Sequence, residues 1–143
     1  MSNIKVALVE AISGSTHVYS RTYLPRAGVA TLGAVLKELG HSCEIFIHLM
    51  SDEEIKRLEE FDVVGIGSLS STIKEAYQLA DHLRSKNIMV VMGGPHVTFM
   101  PEEAIEHCDF VVLGEGEVAL PELLTVIENK SVPDSVKGIV FKQ

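Results

Sequence analysis

Short apolar runs alternate with amphipathic segments along the whole chain. The runs are rich in β-branched residues and end at polar residues or glycine, which predicts strands, and the segments between them have helical periodicity. The predicted strands are Ile4–Glu10, Cys43–His48, Val63–Gly67, Ile88–Met92 and Phe110–Leu113, with Gly138–Phe141 as an edge strand. The predicted helices are Gly28–Leu39, Asp52–Glu59, Ser71–Lys86, Pro101–Glu106 and Glu117–Asn129.

Regular alternation of strands and helices predicts an α/β fold with a parallel sheet that is covered on both faces. Right-handed crossovers and five βα units favour the doubly wound, flavodoxin-like (Rossmann-like) strand order 2-1-3-4-5. The 143 residues suffice for one domain with a single core. Ligands of such sheets bind outside the carboxyl ends of the strands, so the loops after strands one, three, four and five are the candidate site.

Composition narrows the function classes. The formal net charge of -8 argues against a nucleic-acid partner, because such proteins present a basic face. The apolar runs are too short for a membrane span, and the first residues lack a signal-peptide pattern, so we expect a soluble, cytoplasmic protein. Cys43 and Cys108 are too far apart for a zinc or iron–sulfur motif and are expected to be free thiols.

The loop after the first strand spans residues 11–26 and is long for a connection of this kind. Such length is typical of functional loops. A flexible, hydroxyl-rich flap without a specific ligand is the alternative interpretation. The candidate ligand contacts in this loop are Ser13, Ser15, Thr16 and His17.

The loops after strands three and four combine small residues with hydroxyl groups. Small residues let a ligand approach the backbone, and hydroxyl groups can bond it or cap the next helix. Capping or a tight turn alone would also use some of these residues, and a lone loop histidine is more often a surface residue. The candidate contacts are Gly67, Ser68, Leu69 and Ser70 after strand three, and Gly93, Gly94, Pro95 and His96 after strand four.

The loop after strand five supplies the candidates Gly114, Glu115 and Gly116. Together with Glu117 and Ala119 these residues formally match the dinucleotide fingerprint Gly-x-Gly-x-x-Gly/Ala. That fingerprint belongs on the first strand of a nucleotide-binding half, and only 24 residues follow Ala119. The two glutamates would also repel a pyrophosphate, so dinucleotide binding is excluded.

The sequence also lacks the residues that better-known functions of this fold require. A response-regulator receiver would need an acidic pair, an aspartate and a lysine where the chain has Glu10 alone, Gly67 and Glu115. The sequence has no nucleophile elbow, HExxH motif, Walker lysine or cysteine trio. The chain is therefore interpreted as a binding module that does no chemistry by itself.

Three blocks in order carry a family resemblance: residues 62–66, residues 93–98 with the Pro-Glu-Glu of 101–103, and residues 109–117. On these motifs the chain resembles the N-terminal cobalamin-binding domain of class B radical SAM proteins, which include methylases and the anaerobic magnesium-protoporphyrin monomethyl ester cyclase. The resemblance covers essentially the whole chain. It implies that residues 1–143 are a fragment of a longer radical SAM methyltransferase or cyclase.

The resemblance also implies a binding geometry. The corrin ring would lie across the carboxyl edge of the sheet, and the dimethylbenzimidazole nucleotide tail would enter a slot beside strands three and four. Ser68, Leu69 and Ser70 would line that slot, Gly93 and Gly94 would let the tail pass, and residues 114–117 would border it. An iron–sulfur cluster and S-adenosylmethionine would belong to a radical SAM partner domain, in cis or in trans.

One motif of other cobalamin proteins is absent. In the pattern Asp-x-His-x-x-Gly the histidine is the lower ligand of cobalt, but here Ser15 precedes His17 and Ser20 replaces the glycine. We therefore expect no histidine ligation through this motif. Two alternatives remain open: an FMN-binding, flavodoxin-like electron carrier, for which residues 13–16 only partly supply the phosphate loop, and a degenerate interaction domain that has lost its ligand.

Overall fold

The chain folds into one six-stranded sheet with helices on both faces. The structure, a computed structural model, describes residues 4–11, 27–47, 51–68 and 70–142. The strands are β1 (Lys5–Glu10), β2 (Ser42–Phe46), β3 (Val63–Gly67), β4 (Met89–Gly93), β5 (Phe110–Val112) and β6 (Ile139–Phe141). The helices are α1 (Ala27–Glu38), α2 (Asp52–Leu58), α3 (Ile73–Ser85), α4 (Pro95–Phe99), α5 (Pro101–Ala104) and α6 (Ala119–Glu128), with 3-10 turns at Ser70–Thr72 and Pro133–Ser135.

The strand order is β2-β1-β3-β4-β5-β6, which confirms the predicted order and the edge position of the last strand. The first five strands are parallel, and β6 pairs with β5 in the antiparallel direction. The carboxyl ends of β1, β3, β4 and β5 consequently meet along one edge of the sheet. The loops that the sequence singled out all begin at this edge.

The core has two parts, one on each face of the sheet. On one face α1 and α6 bury Leu36, Leu123 and Leu124. On the other face α2 and α3 bury Leu58 and Leu83 in a separate cluster. Burial of the apolar side of each helix against the sheet is the main force that holds these layers together.

Local signals account for several helix boundaries. Ser51 caps α2, since its Oγ accepts a hydrogen bond from the Glu54 backbone N–H at 3.2 Å, as the sequence predicts. Gly40 follows the end of α1 with a φ of 90°, a conformation that favours glycine. Within the described ranges, no helix has both the length and the apolar character needed to cross a membrane.

The structure differs from the prediction after β4. Residues 95–99 form the short helix α4, where the sequence was interpreted as a loop. Pro95 is the first residue of this helix, a position where its fixed φ is favourable and its missing N–H costs nothing. The glycines before it hide this start, because Gly-Gly-Pro is also typical of turns.

Candidate functional site

A slot opens at the carboxyl edge of the sheet, on the face covered by α1 and α6. Its volume is about 350 Å³, within the range of small-ligand sites. Most of its wall is apolar: the side chains of Leu8, Val91 and Val112 come from the sheet, and those of Val29, Leu32 and Leu120 come from the two helices. The backbone and polar groups at its mouth belong to Ser68, Gly94, Pro95 and residues 114–117.

Glycine residues in the strands create the space of the slot. Gly65 and Gly67 alternate along β3, and Gly67 is paired with Gly93 of β4, so neighbouring strand ends are bare at the slot. A Cβ atom on Gly67 would stand 3.4 Å from Val29 Cγ2, and one on Gly65 would stand 2.9 Å from Leu8 Cδ2. Larger side chains at these positions would fill the slot or displace its wall.

Ser68 provides a buried polar group in this apolar setting. Its side chain is fully buried and lines the slot, and its Oγ has no hydrogen-bond partner among the described residues. A buried hydroxyl group without a partner costs about 1–3 kcal/mol, so such groups are rare. The Ser68 hydroxyl is therefore suited to bond a ligand that enters the slot.

Gly94 is required by the fold as well as by the slot. Its φ is 111°, and a Cβ atom at this position would overlap the backbone carbonyl oxygen of Ser68. The backbone N–H of Ser68 also donates to the carbonyl oxygen of Gly93 at 3.2 Å. The end of β4 therefore holds the β3 loop that carries the Ser68 hydroxyl.

Thr98 joins two loops at the mouth of the slot. Its hydroxyl group donates to the carbonyl oxygen of Gly94 at 2.9 Å and accepts from the backbone N–H of Gly114 at 3.0 Å. The sequence pattern did not identify this role, because Thr98 lies on a short helix that was interpreted as a loop. The loops after β4 and β5 are thus connected through one side chain.

Ser70 and His96 lie beside the slot and are absent from its wall. Ser70 Oγ lies 3.0 Å from His96 Nδ1, and His96 Nε2 lies 2.9 Å from Glu103 Oε1. The Tyr77 hydroxyl donates to the same oxygen of Glu103 at 2.7 Å. The bonds from His96 and Tyr77 lower the pKa of Glu103, and burial together with Glu103 raises the pKa of Tyr77.

The predicted contacts can now be placed. The slot brings together eight of them: Gly67, Ser68, Gly93, Gly94, Pro95, Gly114, Glu115 and Gly116. Ser13, Ser15, Thr16, His17 and Leu69 lie outside the described residues. The apolar wall and Gly65 were missed, and a glycine inside the β3 pattern was the one available signal for them.

No group of three or more histidine, cysteine, aspartate or glutamate residues that could hold a metal ion occurs in the described part of the chain. Among the residues that the structure describes, those that line the slot include no histidine. The slot therefore has the chemistry of a site for an organic group: apolar walls, an exposed backbone and a hydroxyl group. An apolar, aromatic ligand part with a hydrogen-bonding atom fits these walls.

Comparison with known proteins gives the family. The family model of the B12 binding domain matches residues 18–124. An uncharacterized methyltransferase of Pyrococcus horikoshii is 34% identical over an alignment of length 130, which covers 83% of this chain and 28% of that protein. The anaerobic magnesium-protoporphyrin IX monomethyl ester cyclase of Cereibacter sphaeroides is 31% identical over an alignment of length 134, which covers 82% of this chain and 22% of that protein. The chain thus spans less than a third of the length of these relatives.

Solved structures share the fold. The cobalamin-dependent S-adenosylmethionine radical enzyme OxsB with aqua-cobalamin bound superposes with a TM-score of 0.79 at 22% identity, over 98% of this chain and 21% of that one. The radical S-adenosylmethionine methyltransferase TsrM from Kitasatospora setae, with cobalamin and a [4Fe-4S] cluster bound, has a TM-score of 0.80 at 21% identity, over 100% of this chain and 28% of that one. At this identity the likeness concerns the fold, and together with the family match it leads to one conclusion: the chain belongs to the B12-binding domain family.

Proposed function

We propose that this chain holds a cobalamin with the nucleotide tail in the slot and the corrin ring over the carboxyl edge of the sheet. The buried Ser68 hydroxyl, which has no hydrogen-bond partner among the described residues, carries the proposal because the slot around it is otherwise apolar. Dimethylbenzimidazole is a flat, uncharged aromatic group with ring nitrogen atoms, so it needs apolar walls and a hydrogen-bond donor. Ser68 supplies that donor, and Gly65, Gly67 and Gly93 leave the room.

The residues of the chain would bind and orient the cofactor. Bound cobalamin supplies a cobalt centre that can carry a methyl group or exchange electrons. Leu8, Val29 and Val112 exclude water from the tail, and Thr98 holds the loops at the mouth of the slot. The chain itself is expected to be non-catalytic, since its residues position the cofactor and supply no reacting group.

The chemistry of a full-length protein is a separate part of the proposal. The named relatives are a methyltransferase and a cyclase, and both are more than three times as long as the matched segment. We propose that a radical SAM domain, in cis or in trans, carries the iron–sulfur cluster and S-adenosylmethionine and uses the cobalamin for methyl transfer or cyclase-type chemistry. The substrate would be chosen largely by that domain.

Two properties of the chain bear on its surroundings. The net charge of -8 disfavours a nucleic-acid partner. Cys43 and Cys108 are both free thiols, which is typical of a reducing compartment and supports a cytoplasmic location.

The lower face of cobalt is proposed to lack a histidine ligand from the Asp-x-His-x-x-Gly motif. The sequence has Ser15 and Ser20 at the defining positions of that motif, and the described residues that line the slot include no histidine. Electron paramagnetic resonance of the bound cob(II)alamin checks this, because a nitrogen ligand splits the cobalt signal. Splitting that disappears in His17→Ala would contradict the proposal.

The testing experiment is a titration of the purified chain with hydroxocobalamin, followed by the visible spectrum. Stoichiometric binding is expected, and it should be lost in Ser68→Tyr and Gly67→Leu, whose side chains would occupy the slot. Ser42→Tyr, at the opposite end of the sheet, is the control and should bind normally. Circular dichroism verifies the fold of each variant.

The outcome separates the candidate functions. Absence of binding at tens of micromolar hydroxocobalamin, with the fold intact, would contradict the proposal and favour a domain that has lost its ligand. The same samples titrated with FMN test the electron-carrier alternative, which the family match does not favour. Equal binding by wild type, Ser68→Tyr and Gly67→Leu would place the cofactor away from the slot.

A further inference from the structure

Two of the predicted cofactor contacts are bonded to each other, and a third residue completes a chain of hydrogen bonds. Ser70 Oγ contacts His96 Nδ1, and His96 Nε2 contacts Glu103 Oε1. We call these three residues the Ser70–His96–Glu103 chain. They come from three elements, namely the 3-10 turn after β3, α4 and α5. The His96 side chain is only 15% exposed, whereas Ser70 is open to solvent at the carboxyl edge.

The Glu103 end of the Ser70–His96–Glu103 chain can only accept hydrogen bonds. Glu103 Oε1 lies within 2.9 Å of His96 Nε2 and within 2.7 Å of the Tyr77 hydroxyl oxygen. These bonds hold the pKa of Glu103 below its usual range, so the group is a carboxylate at neutral pH. A carboxylate has no proton to donate, and therefore His96 Nε2 must carry the proton of this bond.

This proton on Nε2 determines the direction of the outer bond. A neutral imidazole has one N–H group, so its other nitrogen, Nδ1, is an acceptor. Ser70 must then donate its hydroxyl proton inward to His96 Nδ1. The lone pairs of Ser70 Oγ remain on the outside, whereas a serine without such a partner could donate or accept.

The position of Ser70 relates it to the cofactor. Ser70 lies two residues after Ser68, and His96 directly follows Pro95, so both flank residues that line the slot. The corrin ring of cobalamin carries carboxamide groups on its periphery, and their N–H groups are donors. We propose that Ser70 Oγ accepts a hydrogen bond from one of these carboxamides, and that His96 and Glu103 are positioning residues that keep Ser70 an acceptor.

This inference rests on the proposed function and adds a specificity to it: the site selects a carboxamide over a carboxylate. The probes are cobalamin and its b-, d- and e-monocarboxylic acids, in each of which one side-chain amide is replaced by a carboxylate. A carboxylate would bring negative charge and no donor to Ser70 Oγ. In buffer alkaline enough for histidine side chains to be neutral, one of the three acids should bind the wild type about tenfold more weakly than cobalamin.

Two variants test whether the amide preference depends on the direction of the Ser70–His96 hydrogen bond or only on an intact fold. Ser70→Ala removes the acceptor, so the preference for the amide should disappear. The amide of Glu103→Gln can accept from His96 Nε2 through its oxygen, as Glu103 does, or donate to it through its nitrogen. The second orientation places the imidazole proton on Nδ1 and turns the Ser70 hydroxyl outward as a donor. The preference should then disappear or reverse towards the carboxylate. Glu102→Gln, an exposed neighbour on the same helix, is the matched control and should keep the wild-type preference.

A second measurement needs no cofactor. Nitrogen-15 NMR of the histidine side chains should show the His96 proton on Nε2 in the wild type, and in Glu103→Gln it identifies the nitrogen that carries the proton. An Nδ1 proton in the wild type would overturn the inference. So would an amide preference that is the same in wild type and Ser70→Ala, even though cobalamin binds, or one that persists in Glu103→Gln when its His96 proton is on Nδ1. Failure of the wild type to bind cobalamin would overturn the proposed function, and this inference with it.

Discussion

The backbone of Ser68 lies against Gly94, and a Cβ atom on residue 94 would overlap the carbonyl oxygen of Ser68. Gly94 also has a φ of 111°, which side chains disfavour. Two glycines that are adjacent in sequence therefore differ in role, because a Cβ on Gly93 would lie 3.9 Å from the carbonyl oxygen of Val112, an ordinary contact.

This difference gives the first prediction. Gly94→Ala should lower the free energy of unfolding by about 2–4 kcal/mol, from backbone strain and overlap with Ser68. Gly93→Ala is the matched control and should change stability little while adding a methyl group to the slot. Denaturant titration followed by circular dichroism measures both. A Gly94→Ala variant as stable as Gly93→Ala would show that the contact is relieved at no cost.

Ser68→Ala should affect stability and binding in opposite directions. Removal of a buried hydroxyl group that has no partner among the described residues should leave the cofactor-free domain as stable as the wild type or about 1 kcal/mol more stable. Cobalamin affinity should fall about fivefold to tenfold, since the tail loses its donor. Thermal unfolding without cofactor and a spectroscopic titration measure the two effects. A parallel loss of both would indicate that Ser68 has a structural role only.

Acid should weaken the tie between α3 and α5. The pKa of Glu103 is lowered by hydrogen bonds from His96 and Tyr77, so its folded value lies below the unfolded value of about 4.3. A group whose pKa is lowered by folding stabilises the folded state at pH values above its unfolded-state pKa. This contribution is lost as the pH falls through its folded-state pKa. Glu103→Gln should therefore be less stable than the wild type at neutral pH, with a gap that closes on acidification below about pH 4.

The measurement is denaturant unfolding of wild type and Glu103→Gln across this pH range. Because Glu103 is exposed to solvent, the gap should be small and reduced by salt. Glu102→Gln again serves as the control, since its carboxylate is exposed on the same helix. A gap that is constant with pH would mean that the ionised form of Glu103 does not provide the stabilisation.

The two thiols should react at different rates. Burial raises the pKa of Cys108 to about 12, and the side chain is almost fully buried. Cys43 is only partly buried, although burial raises its pKa as well. With iodoacetamide at neutral pH, Cys43 should be alkylated slowly and Cys108 only after unfolding, as peptide mass spectrometry can show. Labelling of Cys108 in the folded chain at the rate of Cys43 would contradict this.

The strand order could be predicted for two reasons. Hydrophobic periodicity in the local sequence identifies the strands and helices, and the right-handedness of crossovers leaves few possible topologies. The mouth of the slot was also predictable, since Ser68, Gly93 and Gly114 come directly after strands whose ends must meet. The apolar wall was not, because it depends on which side chains of β1, β5, α1 and α6 meet across the sheet.

The partners of His96 show a second limit of sequence reasoning. His96 was predicted as a cofactor contact, and in the structure its two ring nitrogens contact Ser70 and Glu103. Glu103 belongs to a different helix and is itself held by Tyr77 of α3. Such a network depends on the packing of three elements, and the sequence pattern of one strand and its loop cannot predict that packing. A direct contact of His96 with cobalamin remains a prediction.

The Thr98 hydroxyl, which bonds Gly94 on one side and Gly114 on the other, has a consequence for the rate and the entropy of cofactor capture. Two loops that share one bonded side chain lose their independent freedom when the domain folds, so little freedom is left to lose when a ligand arrives. In Thr98→Val the loops would have to be ordered by the ligand itself. We therefore expect the opening of the slot to keep a nearly constant width, and release of a bound cofactor to require both loops to move together.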